Sequence, residues 1–106
     1  MTNARWAAMA LAGCLVGNAH AAQISITGSV VQLEPTYLPT EVSFSMSNGS
    51  ALCPTGHWLI WKNASTSNNQ AVYATLLAAY VSNKQITIYL DDADTTCTGT
   101  FIHIHD

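Results

Sequence analysis

Hydrophobic and polar residues alternate along several short stretches of the chain, which is typical of strands with one buried face. Between residues 23 and 33 the apolar positions keep one parity as far as Val30, then change to the other parity at Val31 and Leu33. Gly28 lies just before the change. The pattern therefore predicts one long first strand that bends at a β-bulge near Gly28.

Four more stretches read as strands. Residues 42–47 place Val42, Phe44 and Met46 inward, and their serines Ser43, Ser45 and Ser47 outward. Residues 57–62 (HWLIWK) are apolar on both parities, so this third strand is predicted to be covered partly on both sides. Residues 85–92 and 98–106 alternate again and predict a fourth and a fifth strand.

Residues 67–83 predict a helix. Ser67 and Gln70 have the spacing of a capping box at its start, and Asn83 suits a left-handed cap at its end. No charged residue occurs from Gln70 to Asn83. A helix that only covers a sheet needs one apolar stripe, and the predicted stripe consists of Val72, Leu76, Leu77 and Tyr80.

The element order β-β-β-α-β-β with a long bent first strand is that of the OB-fold, a five-stranded Greek-key barrel with one helix. In that barrel the third and fifth strands begin at the same end. Cys53 precedes the third strand and Cys97 precedes the fifth, so the topology places the two cysteines together. A split β+α sandwich of other connectivity is the rival architecture.

The N-terminal segment predicts export. Arg5 is followed by an apolar run and by Ala19-His20-Ala21, which fits the A-x-A site of signal peptidase, so residues 1–22 are read as a signal peptide cleaved after Ala21 or Ala22. Residues 23–106 then form one OB-like domain. The run is too short to span a membrane. Its LAGC segment, ending in Cys14, also resembles a lipobox, which would make the protein a lipoprotein.

Charge and cysteine content narrow the function. After cleavage the chain contains two lysines and six acidic residues, so its net charge is 2 − 6 = −4. This charge argues against nucleic acid as a partner. Two cysteines remain in a chain predicted to be exported, which favours a disulfide Cys53–Cys97; two buried free thiols are the alternative.

The chain resembles a known family in the segment from residue 53 to about residue 102. Within it come a cysteine, a tryptophan, the helix NNQAVYATLLAAYVSNK running into QITIYL, and a second cysteine. This order is similar to that of the B subunits of bacterial AB5 toxins, in the pertussis and subtilase-cytotoxin branch, and of related small secreted bacterial proteins of unknown role. The resemblance implies a ring of five, helices around a central pore, a glycan on the barrel surface and an enzymatic A-type partner.

Three aromatic residues are the candidate ligand contacts: Tyr37, Trp58 and Trp61. A sugar stacks its apolar face on an aromatic ring while hydroxyl and amide groups bind its rim. The alternative for either tryptophan is a place in the core, and at least one must point inward from the third strand.

Metal and catalytic sites are poorly supported by the residue pattern. His103 and His105 share one strand face and His57 or Asp106 could join them around zinc, but zinc needs three or four ligands. The acidic stretch 91–99 lacks the spacing of a calcium loop. No nucleophile motif is present, and no pair of carboxylates flanking a cleft can be assigned. The sequence thus predicts a secreted or periplasmic binding module without metal, cofactor or enzymatic activity, which binds a host-type glycan or, alternatively, another secreted protein as an inhibitor or adaptor.

Overall fold

The computed structural model describes residues 22–106. The predicted signal peptide, apart from Ala22, and the lipobox cysteine Cys14 lie outside these residues. The elements follow the predicted order: β1 (Gln23–Glu34), β2 (Val42–Met46), β3 (Leu59–Trp61), α1 (Thr66–Ser82), β4 (Gln85–Asp91) and β5 (Gly99–His105).

The five strands form one antiparallel sheet in the order β3-β2-β1-β4-β5. The sheet curls into a half-barrel. Its two edges approach each other at a parallel bridge between Ile60 in β3 and Thr98, which directly precedes β5. Next to that bridge the Ile60 N–H donates to the Cys97 carbonyl oxygen at 2.9 Å. The fold is therefore mainly β with one helix, as the pattern predicts.

The predicted disulfide Cys53–Cys97 is present. It closes a separation of 44 residues, and both cysteines are buried. Cys97 accepts the hydrogen bond from β3, so the disulfide joins the segments that lead into the two edge strands. Neither cysteine of residues 22–106 is a free thiol.

The bend in β1 occurs three residues later than predicted. The pairing between β1 and β2 shifts between Val30 and Gln32, so Val31 is the extra residue. Val31 is 46% exposed, whereas Leu33 turns inward opposite Phe44. Gly28 is regular in the β1–β4 ladder, and a Cβ there would come within 2.6 Å of the Ser47 hydroxyl. Close approach of Ser47 and Asn48, the two residues after β2, explains this glycine.

The core fills the concave face of the sheet beneath α1. It contains the predicted inward residues of β2 and β4. Ser45 was predicted to face outward, but this is wrong, since it is fully buried opposite Gln32 at the bulge and donates a hydrogen bond to Gln32 Oε1 at 3.2 Å.

The helix starts earlier than predicted. Ser65, not Ser67, is the N-cap, and its hydroxyl accepts a hydrogen bond from the Asn68 N–H at 3.2 Å. An interaction with Asn63 explains why the N-cap is Ser65. The Asn63 side-chain oxygen accepts a hydrogen bond from the Ser65 N–H at 2.9 Å, which holds Ser65 in the extended conformation of an N-cap. At the other end Asn83 has φ 57°, which confirms the left-handed cap.

The buried stripe of α1 is narrower than predicted. Val72 and Leu76 are buried, but Ala79 completes the stripe in place of Leu77 and Tyr80, which are exposed. A small residue at position 79 lets the last turns lie close to the sheet. No helix of residues 22–106 is both long enough and apolar enough to cross a membrane.

Candidate functional site

Two of the three predicted ligand residues, Tyr37 and Trp58, line one cleft on the convex side of the sheet. The cleft encloses about 360 Å³ and is completed by Glu34, Ser43 and Ile60. This volume lies in the range of small-molecule sites. Ser43 and Ile60 are directly paired across β2 and β3, so they form its floor.

The turn between β1 and β2 presents Tyr37. Its carbonyl oxygen accepts hydrogen bonds from Thr40 N–H at 2.9 Å and Glu41 N–H at 3.2 Å, and Leu38 N–H donates to Pro35 at 3.2 Å. These bonds fix the backbone, while Tyr37 as a whole stays 59% exposed. The aromatic ring is thus displayed on an ordered turn.

Trp58 immediately precedes β3 and is 44% exposed. Alternation along the strand sends Trp58 and Ile60 outward, and Leu59 and Trp61 inward. Two exposed aromatic residues therefore line the cleft, Tyr37 from a turn and Trp58 from the residue just before β3.

Glu34 supplies the charged group of the cleft. Its Oε1 accepts the Thr36 N–H at 2.8 Å, and hydrogen bonding from Thr36 lowers the pKa of the Glu34 carboxyl below its usual 4.5. These hydrogen bonds favour the ionised form of the carboxyl. No lysine or arginine lines this cleft among residues 22–106, so the site has hydrogen-bond acceptors and aromatic rings, but no cation.

Trp61 lies elsewhere. Its side chain is buried, at 7% exposure, and does not line the cleft. The indole N–H donates to Asn68 Oδ1 at 2.9 Å. The structure therefore gives Trp61 a place in the core, and no observation tests its predicted contact with a ligand.

Asn69 is a positioning residue that the sequence analysis missed. It is fully buried, and its Nδ2 lies 2.9 Å from the Pro39 and Thr40 carbonyl oxygens and 3.0 Å from that of Asn63. Its Oδ1 accepts the Asn63 N–H at 2.8 Å. Asn69 thereby ties the turn that carries Tyr37 to the first turn of α1. Its neighbour Asn68 has the same residue type, so the pattern alone does not distinguish the two.

A second cleft of about 350 Å³ lies on the convex face of β4 and β5, lined by Gln23, Tyr89, Thr100 and Phe101. Tyr89 and Phe101 meet edge to face with ring centroids 5.6 Å apart. The alternation of β5 indicates Phe101 on this face, but nothing in it distinguishes a cleft from a flat surface.

The two histidines of β5 lie together on the same face. Their ring centroids are 5.4 Å apart, His105 Nε2 is 2.8 Å from the Thr87 hydroxyl, and His105 Nδ1 is 3.1 Å from the Asp106 carbonyl oxygen. Within residues 22–106 no three histidine, cysteine, aspartate or glutamate side chains cluster as a metal site. His57 bonds instead to the Trp58 carbonyl oxygen, at 3.0 Å.

The acidic turn between β4 and β5 uses its carboxylates to hold the backbone. Asp91 accepts the Ala93 N–H at 3.0 Å, Asp92 accepts the Ala22 N–H at 3.1 Å, and Asp94 accepts the Thr96 N–H at 2.7 Å. The bonds from Thr96 lower the pKa of Asp94 below its usual 3.8. Each of the three carboxylates therefore accepts a backbone hydrogen bond, two from within the turn and one from Ala22.

Comparisons of the chain with protein-family models, with curated proteins and with solved structures found no match. The resemblance to AB5 toxin B subunits accordingly stays a prediction.

Proposed function

We propose that the chain is an exported binding module without enzymatic activity, and that it binds a glycan in the cleft between Tyr37 and Trp58. The observation that carries the proposal is the convergence of two exposed aromatic rings on a cleft with a carboxylate and a hydroxyl, from Glu34 and Ser43. Sugars present an apolar C–H face and a polar rim, which matches this combination.

The cleft chemistry favours a neutral sugar. Hydrogen bonds from Thr36 lower the pKa of the Glu34 carboxyl and so favour its ionised form, and a carboxylate accepts hydrogen bonds from two or more hydroxyls. A sugar that carries its own carboxylate would meet like charge with no cation in the lining. We therefore expect neutral hexose or N-acetylhexosamine groups to bind in preference to acidic sugars.

We also propose that the half-barrel is OB-like. The element order, the bend in β1, the parallel bridge between Ile60 and Thr98 and the adjacent disulfide support this architecture. In the OB-fold the face of strands 2 and 3, together with the loops after strands 1 and 4, binds oligonucleotides and oligosaccharides. The Tyr37–Trp58 cleft has its floor on β2 and β3 and includes Tyr37 from the turn between β1 and β2.

The exposed side of α1 supports assembly into a closed ring. Leu77, Tyr80 and Val81 are exposed, Val81 at 74%, and they alternate with the small residues Ala74 and Ala78. A solvated helix usually carries charge, but Thr66–Ser82 carries none. A homo-oligomer would cover this face, and the toxin resemblance implies five copies and an enzymatic A-type partner.

The alternative is a stand-alone secreted or periplasmic module that binds another protein. Probing a glycan array with the mature protein separates the two. Selective binding to neutral glycans supports the proposal, whereas a blank array together with capture of one defined protein at micromolar affinity or better supports the alternative. An exported enzyme encoded beside this protein would favour the toxin-like assembly.

A further inference from the structure

Ala22 is bound to Asp92 through both of its backbone polar groups. The Ala22 N–H donates to Asp92 Oδ1 at 3.1 Å, and the Asp92 N–H donates to the Ala22 carbonyl oxygen at 2.8 Å. These bonds lie directly beyond the Gln23–Asp91 pair of the β1–β4 ladder. The first residue ahead of β1 is thus held by the turn that follows β4.

We propose that the mature chain begins at Ala22, and that the α-ammonium group released there forms an ion pair with the Asp92 carboxylate. The inference rests on the proposed export of the chain and selects one of the two cleavage positions that the A-x-A pattern allows. Hydrolysis of the Ala21–Ala22 bond adds the hydroxyl of water to the Ala21 carbonyl carbon and a hydrogen to the Ala22 nitrogen. That amine takes up a proton from solvent at neutral pH.

The geometry needed for the ion pair is already present. The Ala22 nitrogen lies 3.1 Å from a carboxylate oxygen, so cleavage turns a neutral donor into a charged donor at the same place. Charge-assisted hydrogen bonds are roughly twice as strong as neutral ones. The protein thereby gains a fixed attachment for its N-terminus.

The charges around the turn support this assignment. Asp91, Asp92 and Asp94 follow one another within four positions. The lysines of residues 22–106 pair elsewhere, Lys62 with Glu41 at 3.9 Å and Lys84 with Asp106 at 2.6 Å. A new positive charge at Ala22 would therefore partly neutralise an acidic turn that has no cationic side chain bonded to it in this part of the chain.

Cleavage one residue later would damage the second cleft. Gln23 Nε2 donates to the Thr100 hydroxyl at 3.1 Å, and both residues line that cleft. An N-terminal glutamine cyclises when its α-nitrogen attacks the side-chain amide carbon and expels the amide nitrogen as ammonia. The cyclised residue would have lost the nitrogen that binds Thr100. With Ala22 in front of it, Gln23 keeps its side-chain amide.

The first experiment determines where the mature protein begins. The full chain is exported by a bacterial host under its own leader, and its intact mass and N-terminal sequence are measured. We expect a chain of residues 22–106 with a free α-amine. A start at Gln23, a product lighter by one ammonia, or a lipid-modified Cys14 would each overturn the inference.

The second experiment tests the ion pair in the exported protein. Asp92→Asn is compared with Glu41→Gln, which removes a carboxylate and its ion pair with Lys62 away from the N-terminus. Both variants are made in the mature chain and in a form with two extra residues before Ala22, and Glu41→Gln should lower Tm equally in the two forms. We expect Asp92→Asn to lower Tm about twice as much in the mature chain as in the extended form at low salt, and the difference to shrink in 1 M NaCl. Equal Tm losses in both forms would contradict the ion pair. A blank glycan array would leave both experiments unaffected.

Discussion

The indole N–H of Trp61 donates a 2.9 Å hydrogen bond to Oδ1 of Asn68, which joins β3 to the first turn of α1. A buried tryptophan with its polar atom satisfied contributes stability through both packing and hydrogen bonding. The next residue, Asn69, joins the same turn of the helix to the turn that displays Tyr37. Two adjacent asparagines therefore perform different tasks, one as an acceptor and one mainly as a donor.

This difference predicts opposite outcomes for the same substitution. Asn68→Asp keeps the acceptor for Trp61 and places a negative charge near a helix N-terminus, so it should change the free energy of unfolding by less than about 1 kcal/mol. Asn69→Asp removes the side-chain donor that faces the carbonyl oxygens of Pro39, Thr40 and Asn63 and buries a charge among them. It should cost at least about 3 kcal/mol.

Urea unfolding of the two variants measures both effects at once. Failure of Asn69→Asp to fold counts as the larger effect, provided that Asn68→Asp folds normally. Equal losses of stability in the two variants would show that Asn69 does not act as the described hydrogen-bond centre.

The disulfide should account for a large part of the stability. Cys53 and Cys97 enclose a separation of 44 residues, for which loss of chain entropy in the unfolded state predicts about 4 kcal/mol. The double variant Cys53→Ala/Cys97→Ala avoids burying new hydroxyl groups. Urea unfolding of this variant and of the oxidised wild type gives the difference, and a loss below about 1 kcal/mol would contradict the role assigned to the disulfide.

The sequence predicts those parts of the fold in which a residue's burial is set by its neighbours along the chain, and not those in which a distant segment sets it. Alternation identifies the inward residues of β2 and β4 because neighbouring positions on a strand point to opposite faces. It fails at Ser45, which is fully buried opposite Gln32, where the β1–β2 register shifts at the bulge. The capping-box spacing likewise misplaces the start of α1, because the hydrogen bond between Asn63 and Ser65 makes Ser65 the N-cap in place of Ser67.

The candidate site is predictable only in part, for the same reason. Strand parity requires that Trp58 and Trp61 face opposite sides, and this follows from their separation by three residues. Which side faces the core depends on how β3 pairs with β2, which is a long-range property. The role of Asn69 depends on carbonyl groups about 30 residues earlier in the chain, and no local pattern records them.

The exposed face of α1 predicts self-association. Light scattering at micromolar concentration should show an oligomer of the mature protein, and Ala78→Glu should dissociate it, because a carboxylate would be buried between small side chains. Val31→Glu, an exposed apolar position on the sheet, is the control and should leave the oligomer intact. A wild-type monomer would remove the ring from the proposal while leaving the cleft unaffected.

Two carboxyl groups predict how stability changes in acid. The pKa of Glu34 and that of Asp94 are both lowered in the folded protein by hydrogen bonds from nearby threonines. Their contribution to stability is present above the ordinary values of 4.5 and 3.8 and is lost as the pH falls through the lower folded values. Tm should therefore stay level from neutral pH to about pH 5 and decrease below about pH 4.

The double variant Glu34→Gln/Asp94→Asn tests the origin of this acid sensitivity. It should have a lower Tm than the wild type at neutral pH and a shallower decrease in Tm between pH 5 and pH 3. Parallel curves for the two proteins across that interval would show that other groups are responsible.

The proposed function depends most directly on the aromatic rings of the first cleft. The decisive measurement is the binding of the mature protein, Trp58→Ala and Phe101→Ala to neutral glycans on one array, with Tm recorded for each. Phe101 is an exposed aromatic residue of the second cleft and serves as the matched control. Loss of one stacked ring should weaken binding about tenfold or more for Trp58→Ala, corresponding to roughly 1.4 kcal/mol, and leave Phe101→Ala close to wild type. Equal glycan binding by Trp58→Ala and the wild-type protein would contradict the account.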